Sequence, residues 1–346
     1  MRLKRISSLL LCGLLAFATL IETPMTVMAA DQGAMLEAIA PARTTNEIDA
    51  TREMLAQGAT KSVTARAAGD VAITATNFPD YMFAYYVYYY FDRNDDGILS
   101  NSERDRVTTM YPNDLSITSM VGVRHFPNLE TLQCAGNELT SLDVSANKKL
   151  NELLCSDNKL KTLKVPSSLR RLYADNNQLS SISGLNNCKK MNQLSIVNNL
   201  FVKLPNMKKF SSLRGLSLEK NYLTKKELRN KLPKHALASN NKKWFNRQVK
   251  GQKKLAKPAG LKVANSGKKA LKVSWNKRND VTGYEVYVST SKKGTYKRAK
   301  RTTGTSFTHK KLTKGRTYYY KIRSYRKIGG NTVYSAFTSV KSRKSK

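Results

Sequence analysis

The sequence predicts a mainly β chain with short helices, in which a solenoid of parallel strands is followed by a β-sandwich and preceded by a small helical cap. Three observations predict it. An apolar template recurs five times between Leu129 and Leu223. An acidic twelve-residue loop from Asp92 to Glu103 follows an aromatic helical stretch. From Pro258 onward, short alternating strands are divided by glycine turns.

The template first runs Leu129, Leu132, Cys134, Asn137, Leu139, Leu142, and recurs as Leu150, Leu153, Cys155, Asn158, Leu160, Leu163 and as Leu169, Leu172, Ala174, Asn177, Leu179, Ile182. Looser copies are Met191, Leu194, Ile196, Asn199, Phe201, Leu204 and Leu213, Leu216, Leu218, Asn221, Leu223. Successive first positions are 21, 19, 22 and 22 residues apart, inside the window of about 20–29 residues that marks leucine-rich repeats. In Leu-x-x-Leu-x-Leu the last two apolar residues sit two apart and point to one face of a short strand. One coil cannot bury that face. Stacked coils bury it continuously and pair their strands in parallel. The turn asparagines, from Asn137 to Asn221, are expected inside the bend, bonding backbone groups of their own and neighbouring coils. Coils this short leave little room for a convex helix, so extended or 3₁₀ segments are expected there.

Residues 1–30 read as a secretory signal peptide: Arg2, Lys4 and Arg5, an apolar run from Ile6 to Ile21, then Val27-Met28-Ala29-Ala30 with cleavage expected after Ala29 or Ala30. The run is short of the ~20 residues a membrane span needs, and no other stretch is apolar enough to be one. Residues 31–75 read as a flexible spacer rich in Ala and Thr. Beyond the signal, Cys134, Cys155 and Cys188 remain, and an odd number argues against a disulfide scaffold. Cys134 and Cys155 share one template position and are expected to stack as buried thiols.

An EF-hand-like N-terminal cap is assigned to residues 76–116. Asn77-Phe78-Pro79-Asp80 opens a helix carrying Phe83, Tyr86, Val87, Tyr90 and Phe91 at helical spacing. Directly after it, Asp92, Asn94, Asp96, the Ile98 carbonyl, Ser100 and Glu103 stand at the oxygen-ligand positions of a calcium loop, with Gly97 at the sharp turn. A structural calcium ion is the cofactor expected. An ordinary Asp-Gly turn is the competing reading.

The solenoid is assigned to 117–223, and a C-terminal cap with a basic linker to 224–257. Thr224-Lys-Lys-Glu227 has the form of a capping box, with Leu228 and Leu232 behind it and Pro233 as the stop. Strand parity turns Thr131, Gln133, Glu152, Leu154, Arg171, Tyr173, Asp175, Gln193, Ser195, Val197, Ser217 and Glu219 to the open concave face. Leu154, Tyr173 and Val197 are apolar where solvent is expected, the composition of an interface centre. These residues are the candidate site for a protein or glycan ligand.

The motifs resemble those of internalin-type leucine-rich repeat surface proteins of Gram-positive bacteria. The resemblance rests on Asn-Phe-Pro-Asp, the EF-hand-like loop, Phe126-Pro-Asn-Leu, the Leu-x-Cys of the cysteine-ladder type and Ser141-Leu-Asp-Val-Ser, over about residues 75–250. It implies a non-catalytic recognition protein displayed outside the cell. Only two cysteines hold ladder positions, and no Leu-Pro-x-Thr-Gly sorting motif is present.

Residues 258–346 are read as a sandwich with strands over Leu261–Val263, Leu271–Trp275, Tyr284–Val288, Phe307, Tyr318–Tyr325 and Val333–Val340. Leu312-x-x-Gly315-x-x-Tyr318 resembles the tyrosine corner of fibronectin type III domains, with Trp275 as core tryptophan. Tyr318, Tyr320 and Ile322 are expected to point inward.

The net charge of +37 is unevenly placed. Residues 31–157 hold 18 acidic and 10 basic residues, whereas 158–346 hold 5 acidic and 48 basic. Such a basic half implies an anionic partner. For an exported chain that means cell-wall polymers or lipid headgroups, and no nucleic-acid motif is present. His125, His235 and His309 fall in three segments, without a nucleophile elbow, a His-Glu-x-x-His or a phosphate loop. The sequence therefore predicts a secreted or cell-wall-associated binding protein rather than an enzyme. Its rival is a structural envelope protein in which the basic sandwich acts and the solenoid is a spacer.

Overall fold

A computed structural model describes residues 68–346; the expected signal peptide at 1–30 and most of the spacer at 31–75 lie outside the described residues. The chain is mainly β, a solenoid of about five turns followed by a β-sandwich, with a few short helices.

The first described elements are β1 (Val71–Ala72) and α1 (Tyr81–Phe91). Asp80 caps α1 by accepting from the Phe83 N–H at 3.0 Å, and its second oxygen accepts from the Thr118 N–H at 2.7 Å and its hydroxyl at 2.6 Å. One carboxylate thus starts the helix and fastens it to the first coil. Phe83 and Val87 are buried in the core that continues into the solenoid. β2 (Ile98–Leu99) returns antiparallel to β1, and α2 (Asn101–Asp105) begins in a full capping box between Ser100 and Glu103.

Next come β3 (Thr109–Met110), β4 (Thr131–Gln133), β5 (Ser141–Asp143), β6 (Glu152–Leu154), β7 (Thr162–Lys164), β8 (Arg171–Tyr173), β9 (Gln193–Ser195) and β10 (Gly215–Ser217). Six of them form the concave sheet in the order β10-β9-β8-β6-β4-β3. Leu132, Leu153, Leu172, Leu194 and Leu216 pair in register across it, so the template leucines make one spine. The ladder starts earlier than the sequence indicates: Met110, in the segment assigned to the cap, pairs with Leu132. A two-residue strand has too little pattern to be read as a repeat. On the opposite side β5 and β7 form a second parallel pair. Elsewhere that side turns through 3₁₀ segments at Val123–His125, Leu185–Asn187 and Met207–Lys209.

The asparagine ladder fixes the turns. Asn158 donates to the Cys134 carbonyl of the coil before at 2.9 Å and accepts from the Leu139 N–H at 3.0 Å; within its own coil it donates to Cys155 and Ser156. Asn177, Asn199 and Asn221 repeat the pattern. Losing one such amide strands several buried backbone groups, at a cost of roughly 1–3 kcal/mol.

The last coil is covered by α3 (Lys225–Lys231) and α4 (Lys242–Lys250). Thr224 caps α3 through the Glu227 N–H at 3.0 Å, but the Glu227 carboxylate accepts from the Leu204 N–H at 2.9 Å. The box is therefore half formed, because Glu227 serves the neighbouring coil. Phe245 is buried and Trp244 packs against the same core, its indole N–H donating to the Leu216 carbonyl at 3.2 Å.

The sandwich comprises β11 (Lys262–Asn265), β12 (Leu271–Ser274), β13 (Gly283–Ser289), β14 (Lys297–Thr302), β15 (Ser306–His309), β16 (Thr317–Ile328), β17 (Asn331–Tyr334) and β18 (Lys341–Lys344). One sheet runs β11-β12-β15 and the other β14-β13-β16-β17, with β18 also on β16. Trp275, Tyr284, Tyr318, Tyr320 and Ile322 share its core. The Tyr318 hydroxyl accepts from the Thr313 N–H at 3.0 Å, which is the bond of a tyrosine corner. Two assignments change. β14, Lys-Arg-Ala-Lys-Arg-Thr, has no apolar alternation to reveal it, and of the strand expected over Val333–Val340 only Val333 and Tyr334 are in β17, with β18 starting beyond it at Lys341.

Candidate functional site

The concave sheet holds the first candidate site. Adjacent strands bring Glu152 beside Arg171 and Arg171 beside Gln193, and in the next row Leu154 beside Tyr173 and Tyr173 beside Ser195. Arg171 pairs with Glu152 at 2.6 Å, and the Tyr173 hydroxyl donates to the Gln193 side-chain carbonyl. Tyr173 is half-buried, and burial raises its pKa above the ordinary phenol value. It is a neutral ring with its hydroxyl fixed.

The third row corrects the sequence reading. Asp175 was expected on the open face, but it is 8% exposed; its carboxylate accepts from the Ser195 hydroxyl at 2.7 and 2.8 Å and from the Val197 N–H at 2.6 Å. Burial raises its pKa, and the Ser195 and Val197 bonds work against that rise. Asp175 therefore positions Ser195 from below the surface. Strand parity gives the face a residue points to, and a short side chain between two coils can still bond inward. Thr131, Gln133, Leu154, Val197 and Ser217 are half-buried, and Glu219 pairs with Arg247 of α4 at 3.5 Å.

The acidic loop forms a second cluster. Gly97 adopts φ +75°, a conformation in which glycine is free of strain. Asp92 accepts from the Gly97 N–H at 2.8 Å and the Asp96 N–H at 3.3 Å; Glu103 accepts from the Arg93 N–H at 2.8 Å and the Ser100 N–H at 2.9 Å. Asn94 donates to Asp96 at 3.0 Å, and Asp96 also accepts from the Ile98 N–H at 2.9 Å. Burial raises the Asp92 pKa, and the nearby charges of Asp96 and Glu103 add to the rise. For Glu103 burial also acts upward, but bonds from Arg93 and Ser100 leave its pKa below the ordinary value. The donors are all oxygen, the chemistry of a hard cation. With the carboxylates turned to the loop's own N–H groups, no three acidic, His or Cys side chains among the described residues meet where a metal could sit.

The sandwich has two carboxylates, Asp280 and Glu285, against 27 Lys and Arg in residues 251–346. Asp280 pairs with Arg278 at 2.8 Å. Glu285, fully buried, is held by Arg298 at 2.8 Å, Arg323 at 2.8 Å and Arg301 at 3.7 Å. Aromatic rings hold the same cations from the side, Arg323 over Tyr334 at 3.9 Å and Arg301 over Tyr325 at 4.0 Å. Both negative charges are thus matched locally, and the remaining surface charge is positive.

Among the described residues, the thiols and histidines lie in separate surroundings. Burial pushes the Cys134 thiol up to about 12 and Cys188 to about 11, far from the thiolate range. His235 contacts the Leu213 carbonyl at 2.7 Å, His309 contacts the Tyr320 hydroxyl at 2.9 Å, and burial lowers the His125 pKa.

Residues 256–341 match the fibronectin type III domain family. That fibronectin type III domain contains both the tyrosine corner and the arginine-bound Glu285. Among solved structures, the chain is similar to an internalin from Listeria monocytogenes, with 20% identity over 44% of this chain and 53% of that one and a TM-score of 0.35. An Fn3-like protein from Clostridium thermocellum is 26% identical over 24% of this chain and 86% of its own, with a TM-score of 0.21. A beta-1,2-glucanase from Parabacteroides distasonis is 20% identical over 26% of this chain, with a TM-score of 0.23, and this chain covers 13% of its length. No curated protein matches the chain. No helix among the described residues is long and apolar enough to cross a membrane.

Proposed function

We propose that the chain is a secreted or cell-wall-associated, non-catalytic binding protein. Its concave sheet recognises a protein or glycan, and its basic C-terminal half holds it to anionic envelope polymers. The observation that carries the reading is Tyr173: a large ring at the centre of the open sheet, fixed through Gln193 and flanked by the Arg171–Glu152 pair. Rigid aromatic anchors among polar groups are where binding energy concentrates. A glycan array and a pull-down from envelope extracts, run with the full chain and with Tyr173→Ala, test it. Loss of ligand in the variant is the expected result; unchanged binding by a folded variant overturns it.

The paired state of Asp280 and Glu285 favours a second activity for the basic half. Its field is screened over about 8 Å at physiological ionic strength, so washing cells in concentrated salt releases an electrostatically held chain. Retention through that wash points to another anchor. A chain that keeps its envelope attachment but has no ligand on the concave sheet would be the structural spacer protein instead.

The acidic loop is proposed to take a calcium ion that orders the cap, supported by the all-oxygen spacing of the loop and by the charges of Asp96 and Glu103 near Asp92.

A further inference from the structure

At the edge where the strands of the last three coils begin, the concave side carries a cavity of about 510 Å³, a volume in the range of small-molecule sites. Three positions just before the strands stack in register: the Asn192 N–H donates to the Arg170 carbonyl at 2.7 Å, and the Arg214 N–H donates to the Asn192 carbonyl at 2.8 Å. Parallel strands lie about 4.8 Å apart, so Arg170 and Arg214 flank Asn192 across roughly 10 Å of the rim.

The charges at this cavity do not balance. Arg170, Arg171, Lys190 and Arg214 line it, and no acidic residue does. Arg171 is paired with Glu152. The side chains of Arg170, Lys190 and Arg214 are exposed and make no ion pair or hydrogen bond among the described residues. Two cations elsewhere on the solenoid are paired across coils, Lys159 with Glu138 and Lys164 with Asp143. A concave wall of one sign focuses the field toward its centre.

We propose that this cavity binds the phosphate group of a phosphorylated sugar, with the sugar ring lying toward Tyr173. The proposal rests on the concave sheet being the recognition surface and names the chemistry it recognises. Two guanidinium groups, an ammonium and the Asn192 amide offer more donors than the two oxygens of a carboxylate can accept. A phosphate monoester has three terminal oxygens and a charge of about −1.5 to −2 near neutral pH, and guanidinium forks match its geometry. Gln193 joins the two halves of the site: it lines the cavity and holds the Tyr173 hydroxyl. Gln193 thus connects the anion site to the half-buried Tyr173 ring, an aromatic body of the kind that packs against an apolar sugar surface.

Calorimetric titration of the full chain tests this at one fixed ionic strength, because a chain of net charge +37 attracts any anion. The probes are glucose 6-phosphate, glucose 6-sulfate, glucuronic acid and glucose. Glucose 6-phosphate is expected to bind most tightly, and the double variant Arg170→Gln/Arg214→Gln to weaken it by about tenfold or more. Both side chains are exposed, so the variant folds, which circular dichroism checks. Arg106→Gln, on the N-terminal cap, leaves the affinity unchanged. Equal binding of glucose 6-sulfate supports the tetrahedral anion and moves its source to sulfate esters. Equal or tighter binding of glucuronic acid, or no response in the double variant, overturns the proposal. If the double variant is silent while Tyr173→Ala loses a glycan, the anion site falls and the concave recognition surface stands. If neither variant changes any binding, both fall.

Discussion

The side chain of Gln252 accepts a hydrogen bond from the Leu223 N–H at 3.2 Å and donates to the Leu218 carbonyl at 3.0 Å. These are the bonds that each ladder asparagine makes to the coil before it, as Asn221 does with Phe201 and Ile196. Gln248 completes the imitation: its side-chain oxygen accepts from the Leu218 N–H at 2.9 Å, where earlier coils use a backbone carbonyl. Two glutamines therefore close the open end of the solenoid as a substitute coil, blocking its exposed strand edge. Gln252→Ala leaves both backbone partners buried and unpaired. The expected cost is about 1–3 kcal/mol in urea denaturation, with faster hydrogen exchange at the Leu223 amide. An unchanged midpoint and unchanged exchange would mean that water replaces the side chain.

The residue before each ladder asparagine lies in the left-handed region: Gly136, Asp157, Asn176, Asn198 and Lys220. Glycine, asparagine and aspartate tolerate that conformation, whereas lysine pays roughly 1–2 kcal/mol for it. Lys220 is exposed, with φ +54°. Lys220→Gly or Lys220→Asn is expected to raise the thermal midpoint, by an amount equivalent to about 0.5–1 kcal/mol. A lower midpoint for both variants would show that the Lys220 side chain makes a contact that outweighs the strain.

The repeat could be read from the sequence because leucines two apart and an asparagine at the bend are each required by the coil's own geometry, five times over. The tyrosine corner was legible for the same reason, since Leu312, Gly315 and Tyr318 form one local motif. β14 was not legible, because an edge strand facing solvent can be Lys and Arg throughout. Nor were Gln248 and Gln252, which do a repeat's work from outside the repeat's spacing. The cavity at Arg170 and Arg214 escaped the outward-facing positions of the strands because both residues sit one place before a strand begins. In-register stacking of that position makes them neighbours.

If calcium enters the Asp92–Glu103 loop, it offsets the repulsion of Asp92 by Asp96 and Glu103 and stabilises the cap through mass action. At ten times the dissociation constant the gain is about 1.4 kcal/mol. Differential scanning fluorimetry with calcium against a chelator is expected to show a rise for the natural chain and none for Asp92→Asn. Magnesium, which demands tighter octahedral geometry, is expected to give a smaller rise. A natural chain indifferent to calcium would make the loop a turn held by Asp92, Asp96 and Glu103 on their own backbone N–H groups.

Glu285 gives the sandwich a specific response to acid. Burial opposes its ionisation, yet hydrogen bonds from Arg323, Arg298 and Tyr287 leave its pKa below the ordinary glutamate value of 4.5. A folded-state pKa below the unfolded one means that folding favours the ionised form. The associated stability is present in full above the unfolded value near 4.5 and is lost as pH falls through the lower folded value. Urea denaturation followed by Trp275 fluorescence is therefore expected to show the sandwich weakening progressively below that pH. Glu285→Gln removes this part of the acid dependence and leaves Arg298 and Arg323 without a counter-charge, so at neutral pH the variant is less stable by about 3–5 kcal/mol if the charges stay buried. Since Arg298 is half exposed and can turn to water, the loss is expected near the lower end. A Glu285→Gln variant with the natural acid profile and natural stability would show that the arginines are held by Tyr287, Tyr325, Tyr334 and Phe337 alone.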